Sequence, residues 1–536
     1  MQPPQMIQHT AIGFAFILVM GTAAQAAVTI SSDPTKNMKC AHGVCSPTAR
    51  DAVLNAVDLA NMLASSDVKI KTGNGALDIA VVSSFSWTSG SRLTLDAQIN
   101  VAFVAPVDVA GIGSVTILTN DGGTGGDLAF AGGGQLGFRD MSSSLNLNGG
   151  NYMLVNDIAT LAHAIALNPS GLFALANHYN ASVDGTYSNS PIASFSGTFE
   201  GLGNAISNLT LADIKSKKGV VNNIGLFATS SGTIRDINLV NAKVTAGGRF
   251  DIWAGTLVGY NKGTVLQASA TGEMGEVHPA TVGGLVGGNE GQIVRCNAAT
   301  NITDVLTMGG LVGQNRASGL IAQSHADGIL NGSLQYANEV GGLVGINWDT
   351  TSTITLSYST ATVQGSEFVG GLVGVNHGIV SLSFSQGAVL GSHDQVGGLI
   401  GINGGPVANS YSVGPVTGGH QTVVGGLIGE TFDSSNVSQA YAAGPITVDD
   451  PIFLGGVAGH DHSGTGVFTN TYWDMTSTGV ADPSEGVGGT PNDPGVTGLT
   501  NKQFKYALPA GFDHSVWGRK KVINGGLPYL RDNPPP

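Results

Sequence analysis

A short glycine-rich phrase, GGLVG or a near relative, recurs from Gly225 to about Tyr472, and nothing else in the chain constrains its fold as strongly. The apolar centre of each occurrence is Leu226, Leu257, Leu285, Leu311, Leu343, Leu372, Leu399, Leu427 and Val457, at successive spacings of 31, 28, 26, 32, 29, 27, 28 and 30. A period of this size marks a repeat architecture, in which one unit cannot bury its own apolar face and neighbours must stack. A second apolar segment follows in each unit, beginning at Val265, Ile293, Ile321, Ile354, Val380, Val407, Val437 and Val467, and many units carry a third, at Val363, Val389, Val416 and Ile446. Three short β-prone segments separated by Gly, Asn and Ser turns predict an all-β, right-handed parallel β-helix with about one coil per repeat.

Columns can be read from the alignment of units. Four residues after the central Leu stand Asn261, Asn289, Asn315, Asn347, Asn376 and Asn403, the pattern of a stacked amide ladder; Thr431 and Asp461 then interrupt it. Leu257, Leu285, Leu311, Leu343, Leu372, Leu399 and Leu427 are the expected core column. The doubled glycines, such as Gly341 and Gly342, are expected to supply positive φ at a corner of every coil. A further column runs Ser269, Asn297, His325, Tyr358, Phe384, Tyr411, Tyr441 and Tyr472; its aromatics either face solvent as a recognition strip or line the core, and the frequency of buried aromatics favours the core.

These units resemble GLUG repeats of large secreted bacterial adhesins of the filamentous haemagglutinin type. FSGTFEGLGNAISNLTL at 195–211 resembles the lead-in ahead of such units, and the stretch from YWDMTSTG at Tyr472 to INGGLPYL at Leu530 resembles their ending. The resemblance implies a β-helical secreted or cell-surface protein with an adhesive or binding role, whose partner would be a glycan or protein on a host or neighbouring cell.

The rest of the chain is organised around the array. Residues 1–26 read as a signal peptide, from the apolar run Ala11 to Met20 and the small-residue site Ala24-Gln25-Ala26, although no Lys or Arg precedes the run. Residues 27–66 are an amino-terminal segment in which Ser46 and Pro47 start a capping helix with an apolar stripe from Ala52 to Leu63. Less regular rungs follow over 67–155, a helix from Asp157 to Ala166 and a lead-in over 156–224, the array over 225–473 and a carboxy-terminal cap over 474–536. Cys40 and Cys45 are close enough to pair after export, the alternative being two free thiols; Cys296 stands in a column otherwise filled by Ser324, Ser357, Ser383 and Ser410.

Charge narrows the partners. The formal net charge is -14, and no Lys or Arg lies between Arg316 and Lys502, so nucleic acid and anionic membrane surfaces are not expected to bind. No transmembrane segment and no cofactor are expected. Parallel β-helices also carry polysaccharide lyases and hydrolases, the alternative function here, for which Asp449 with Asp450 and His460-Asp461-His462 are the best acid, base or metal candidates. Each occurs once, in a turn, with no companion motif, so neither a catalytic nor a metal site is assigned. The repeat keeps what stacking demands and varies its turns, and variable turns on a rigid scaffold are where binding resides. The working face is accordingly placed on Tyr336, Glu339, Phe368, His393, His420 and Phe453.

Overall fold

The structure, a computed structural model, describes all residues except 1–26, 121–125, 214–221, 247–251, 276–279, 333–337, 433–434 and 463–465. The signal-peptide segment and Tyr336 therefore lie outside the described residues. The chain forms a parallel β-solenoid of about 16 stacked coils. Among the described residues there are four short α-helices, Ala56–Leu63 (α1), Ile158–Leu167 (α2), Met475–Thr478 (α3) and Asn501–Tyr506 (α4).

Three parallel sheets wall the repeat array. The first has ten strands, from Ile192–Phe195 to Ala458–Asp461, and carries the asparagines. The second has nine, from Asn222–Ile224 to Phe453–Gly455, and enters each doubled glycine. The third is the long sheet holding the second and third segments of each repeat, such as Thr353–Thr355, Tyr358–Ser359 and Thr362–Gly365.

Register is strict because each column has one chemistry to satisfy. The central leucines are fully buried, and from Leu257 onward each donates its backbone N–H to the carbonyl of the next centre, as in Leu343 to Leu372 at 2.9 Å and Leu372 to Leu399 at 2.8 Å. The amide ladder runs unbroken: each Asn Nδ2 donates to the next Oδ1, Asn261 to Asn289, Asn289 to Asn315, Asn315 to Asn347, Asn347 to Asn376 and Asn376 to Asn403, at 2.7–2.9 Å. Thr431 and Asp461 continue the same register, with the threonine hydroxyl donating to the carboxylate at 2.9 Å. A slip of one coil would leave buried amides unpaired, at about 1–3 kcal/mol each, so the column holds the coils in step.

The doubled glycines act differently from the expectation. None of the pairs from Gly283 and Gly284 to Gly455 and Gly456 has positive φ. They are glycine because backbone meets backbone: a Cβ on Gly341 would collide with the Val344 carbonyl, and one on Gly342 with the Gly371 carbonyl of the following coil. Positive φ falls instead in the long sheet, at Gln267, Arg295, Gln323, Leu356, Leu382, Asn409 and Gln439, where side chains of varied type occupy one corner column.

The amino-terminal region has its own apolar core, from Val28 to Leu154, to which Ala174, Ala176 and Leu202 also belong, adjoining the core of the array. The helix there starts later than Ser46. Val44–Pro47 is a strand paired with Met38–Ala41, and Ala52–Asn55 pairs in parallel with Ala27–Ser31, so tertiary pairing overrides the local helical period. Asn55 then caps α1 by accepting the N–H groups of Val57 and Asp58. Buried Ala56, Leu59 and Leu63 put α1 against Phe85–Trp87, in the wall that later coils build from strands. Cys40 and Cys45 form a disulfide across the Met38–Ala41 hairpin, and Cys296 is buried in the array. Asp157 caps α2, whose buried Ile158, Leu161, Ala164 and Ile165 join the array core beside Ile192–Phe195.

Candidate functional site

The residue two before the glycine that ends each second-sheet strand, from Gly255 to Gly455, and the residue before each ladder position, from Asn261 to Asp461, form two columns on adjacent sheets. The first column reads Trp253, Thr281, Thr307, Glu339, Phe368, Gln395, Val423 and Phe453. The second reads Tyr260, Gly288, Gln314, Ile346, Val375, Ile402, Glu430 and His460. The columns meet along a seam because the glycines between the sheets allow close approach. Trp253 packs edge-on against Tyr260 at 5.4 Å, Gln395 Nε2 donates to Glu430 Oε2 at 2.6 Å, and Phe453 stacks on His460 at 4.5 Å. Seven steps of about 4.8 Å make the seam about 34 Å long.

Three of the sequence-derived binding residues, Glu339, Phe368 and Phe453, stand half-buried in the first column. Glu339 accepts the Thr307 hydroxyl at 2.7 Å, and burial raises its carboxyl above the usual range against the lowering effect of that bond. His393 and His420 are exposed on the turns that lead into Gln395 and Val423, and His420 lies 3.6 Å from Asp450. The five described residues thus share one flank of the solenoid without converging on a pocket. Sequence reasoning missed Trp253, Tyr260, Gln395 and Glu430; the signal that finds them is their fixed position relative to the glycine pair and the ladder asparagine.

The aromatic column is neither in the lumen nor free in solvent. His325, Tyr358, Phe384, Tyr411 and Tyr441 stack face to face at 4.8–5.0 Å with interplanar angles of 2–5°. They point away from the array core into a separate cluster with Phe504, Phe512, Trp517, Leu527 and Leu530. The carboxy-terminal segment is a strap over this face: Tyr441 donates its hydroxyl to the Pro528 carbonyl at 2.7 Å, Trp517 Nε1 donates to Asn409 Oδ1 at 2.9 Å, and Asn533 Nδ2 donates to the Leu382 carbonyl at 2.9 Å. Burial drives the Tyr411 and Tyr441 hydroxyls well above their usual pKa. Tyr358 and His325 emerge half-buried where the strap ends.

Two gatherings of titratable groups among the described residues bear on chemistry. Where the amino-terminal core meets the array, Arg235 pairs with Asp127, Glu200 and Asp236 at 2.7–2.9 Å, and Arg295 reaches Asp127 at 2.5 Å. Burial pushes Asp236 up to about 6 and Glu200 well above its ordinary value, whereas the two arginines outweigh burial at Asp127 and hold it low. This cluster joins two parts of the scaffold, and Asp127, Glu200 and Arg235 line a cavity of about 210 Å³ together with Tyr152. The second gathering is Glu430, His460 and His462, with Glu430 Oε1 lying 3.2 Å from His460 Nδ1 and 2.6 Å from His462 Nε2. Asp449 and Asp450 are both exposed on a turn outside it. An open cleft of about 500 Å³ over the third segments of successive coils is lined by Lys243, Glu273, Asn301 and Asn331, with Glu273 its one carboxylate among the described residues.

No helix among the described residues is long and apolar enough to cross a membrane, which says nothing about strands. No known family matches the chain. No curated protein matches it either. Among solved structures, one described as a putative immunoglobulin A1 protease from Bacteroides ovatus aligns at 17% identity, covering 71% of this chain and 93% of its own, with a TM-score of 0.27. That score is too low to support any argument about fold or function.

Proposed function

We propose that this chain is an exported, non-enzymatic β-solenoid of the GLUG-repeat, filamentous haemagglutinin-like type, and that it binds a surface glycan or protein of a host or neighbouring cell along the seam. The observation that carries this reading is the set of half-buried aromatic, amide and carboxylate side chains, Trp253, Tyr260, Glu339, Phe368, Gln395 and Phe453, spaced among smaller and aliphatic residues along one flank of a laddered scaffold. Aromatic faces stack on sugar rings or apolar side chains, amides and carboxylates fix orientation, and the rigid coil spacing removes the ordering cost a flexible surface would incur. A run of about 34 Å suits an extended ligand lying across several coils.

A hydrolase or lyase needs acid and base groups converging on one bond. Asp449 and Asp450, the paired carboxylates of the sequence, stand exposed on a turn away from the cleft rather than facing each other across it. The test is a glycan and matrix-protein array with the purified chain from Ala27, run beside a polysaccharide turnover assay. Saturable binding without released product is expected; product release would overturn the reading in favour of a polysaccharide-active enzyme.

A further inference from the structure

We propose that Glu430, His460 and His462 form a binding site for a divalent transition-metal ion of the zinc class, clamping the last two coils of the array. The His-x-His sequence lacked a third ligand because that ligand lies 30 residues earlier; coil stacking places Glu430 in register with His460. On a strand, residues two apart project to the same side. His460 and His462 accordingly both reach Glu430, while Asp461 between them turns inward to Thr431. One donor atom from each of the three residues lies within 4.8 Å of the other two.

The chemistry of the set fits. Two imidazole nitrogens and one carboxylate oxygen are a recurrent donor set for Zn²⁺, with bonds of about 2.0–2.2 Å, which separate ligand atoms by about 3.3 Å in a tetrahedron. Glu430 to His460 already has that separation, His462 stands within an ångström of it from Glu430, and the donor atoms all lie within 4.8 Å of one another. The surroundings hold the ligands as outer partners do in metal sites. Gln395 donates to the second Glu430 oxygen at 2.6 Å, Phe453 lies flat on His460 at 7°, and Phe432 lies flat on His462 at 9°. The Glu430 side chain is 9% exposed and that of His462 46%, so the carboxylate is sheltered while the ion has a way in. Three protein donors leave a tetrahedral ion one open position.

The test uses untagged chain from Ala27, stripped with chelator, titrated with Zn²⁺ by calorimetry and with Co²⁺ by visible absorption near neutral pH. Wild type is expected to bind one equivalent with micromolar or tighter affinity, to give the intense visible bands of tetrahedral Co²⁺, and to melt at higher temperature with Zn²⁺. His462→Gln and Glu430→Gln are each expected to weaken binding more than tenfold. The exposed position of His462 leaves its variant folded, with unchanged melting in chelator, so it decides the matter if Glu430→Gln unfolds. Absence of saturable one-to-one binding in wild type, or a loss of less than tenfold in His462→Gln, would overturn the proposal.

Discussion

Replacing Asn347 by Ala tests the ladder at its centre. The side chain is fully buried, accepts from Asn315 Nδ2 at 2.9 Å, and donates to Asn376 Oδ1 at 2.8 Å and to the Ser352 carbonyl at 3.4 Å. Each such bond contributes about 1 kcal/mol net, and leaving a buried partner unpaired costs about 1–3 kcal/mol, so the loss is about 3 kcal/mol with a range of about 2–5. A repeat protein distributes such a loss locally, because each coil contacts mainly its neighbours. The assay is therefore native-state hydrogen exchange at the backbone amides of Trp348 and His377, which bond to the carbonyls of Asn315 and Asn347 across this part of the stack. About 3 kcal/mol corresponds to roughly a hundredfold faster exchange. Asn403→Ala, at the end of the amide run, loses the Asn376 bond and its 2.9 Å bond to the Gly405 carbonyl and is expected to cost less. Exchange accelerated less than threefold in Asn347→Ala would refute the view that the ladder holds the coils together.

Leu343→Asp places an unpaired charge at a fully buried position and is expected to destabilise the array by several kcal/mol, read as a large drop in urea midpoint; an unchanged midpoint would place Leu343 outside the core. Trp517→Ala removes a fully buried ring from the strap at a cost of about 3–5 kcal/mol, so limited proteolysis should cut after Leu499 while the array stays folded; a cleavage rate equal to wild type contradicts this. Asp236 has a folded pKa raised to about 6 by burial, so between about pH 4 and 6 the folded state holds more protons than the unfolded one and stability falls as pH rises. Asp236→Asn keeps the positive φ of 55° accessible, since asparagine tolerates that region, and should flatten the slope in this window; an identical pH profile would refute the assignment.

How much of this was legible in the sequence follows from what each residue answers to. Leu343 and Asn347 repeat because every coil poses them the same packing and hydrogen-bonding problem, so periodicity alone exposes both columns. Gly341 and Gly342 were visible as glycines, but their reason was not: a Cβ at position 342 would collide with the Gly371 carbonyl in the following coil, a contact absent from any local rule. The start of α1 was hidden likewise, since Ala52–Asn55 pairs with Ala27–Ser31 and the apolar stripe from Ala52 looks helical. The seam was the least legible part. Trp253, Gln395 and Glu430 share a position but not a residue type, and Gln395 meets Glu430 only because two sheets close on each other. Tyr411 and Tyr441 showed their stacking, whereas their cover, Trp517 and Pro528, lies about a hundred residues on and outside the repeat.

The seam is tested most directly by exchanging Trp253, Tyr260, Phe368 and Phe453 together for Ser and returning the variant to the glycan and matrix-protein array. Their side chains stand half-buried on the outside of the scaffold, clear of the leucine column and the amide ladder. The account predicts that binding is abolished while the far-ultraviolet circular dichroism of the array and the hydrogen-exchange protection of the Leu343 and Leu372 amides remain as in wild type. Binding that survives the fourfold exchange would contradict it.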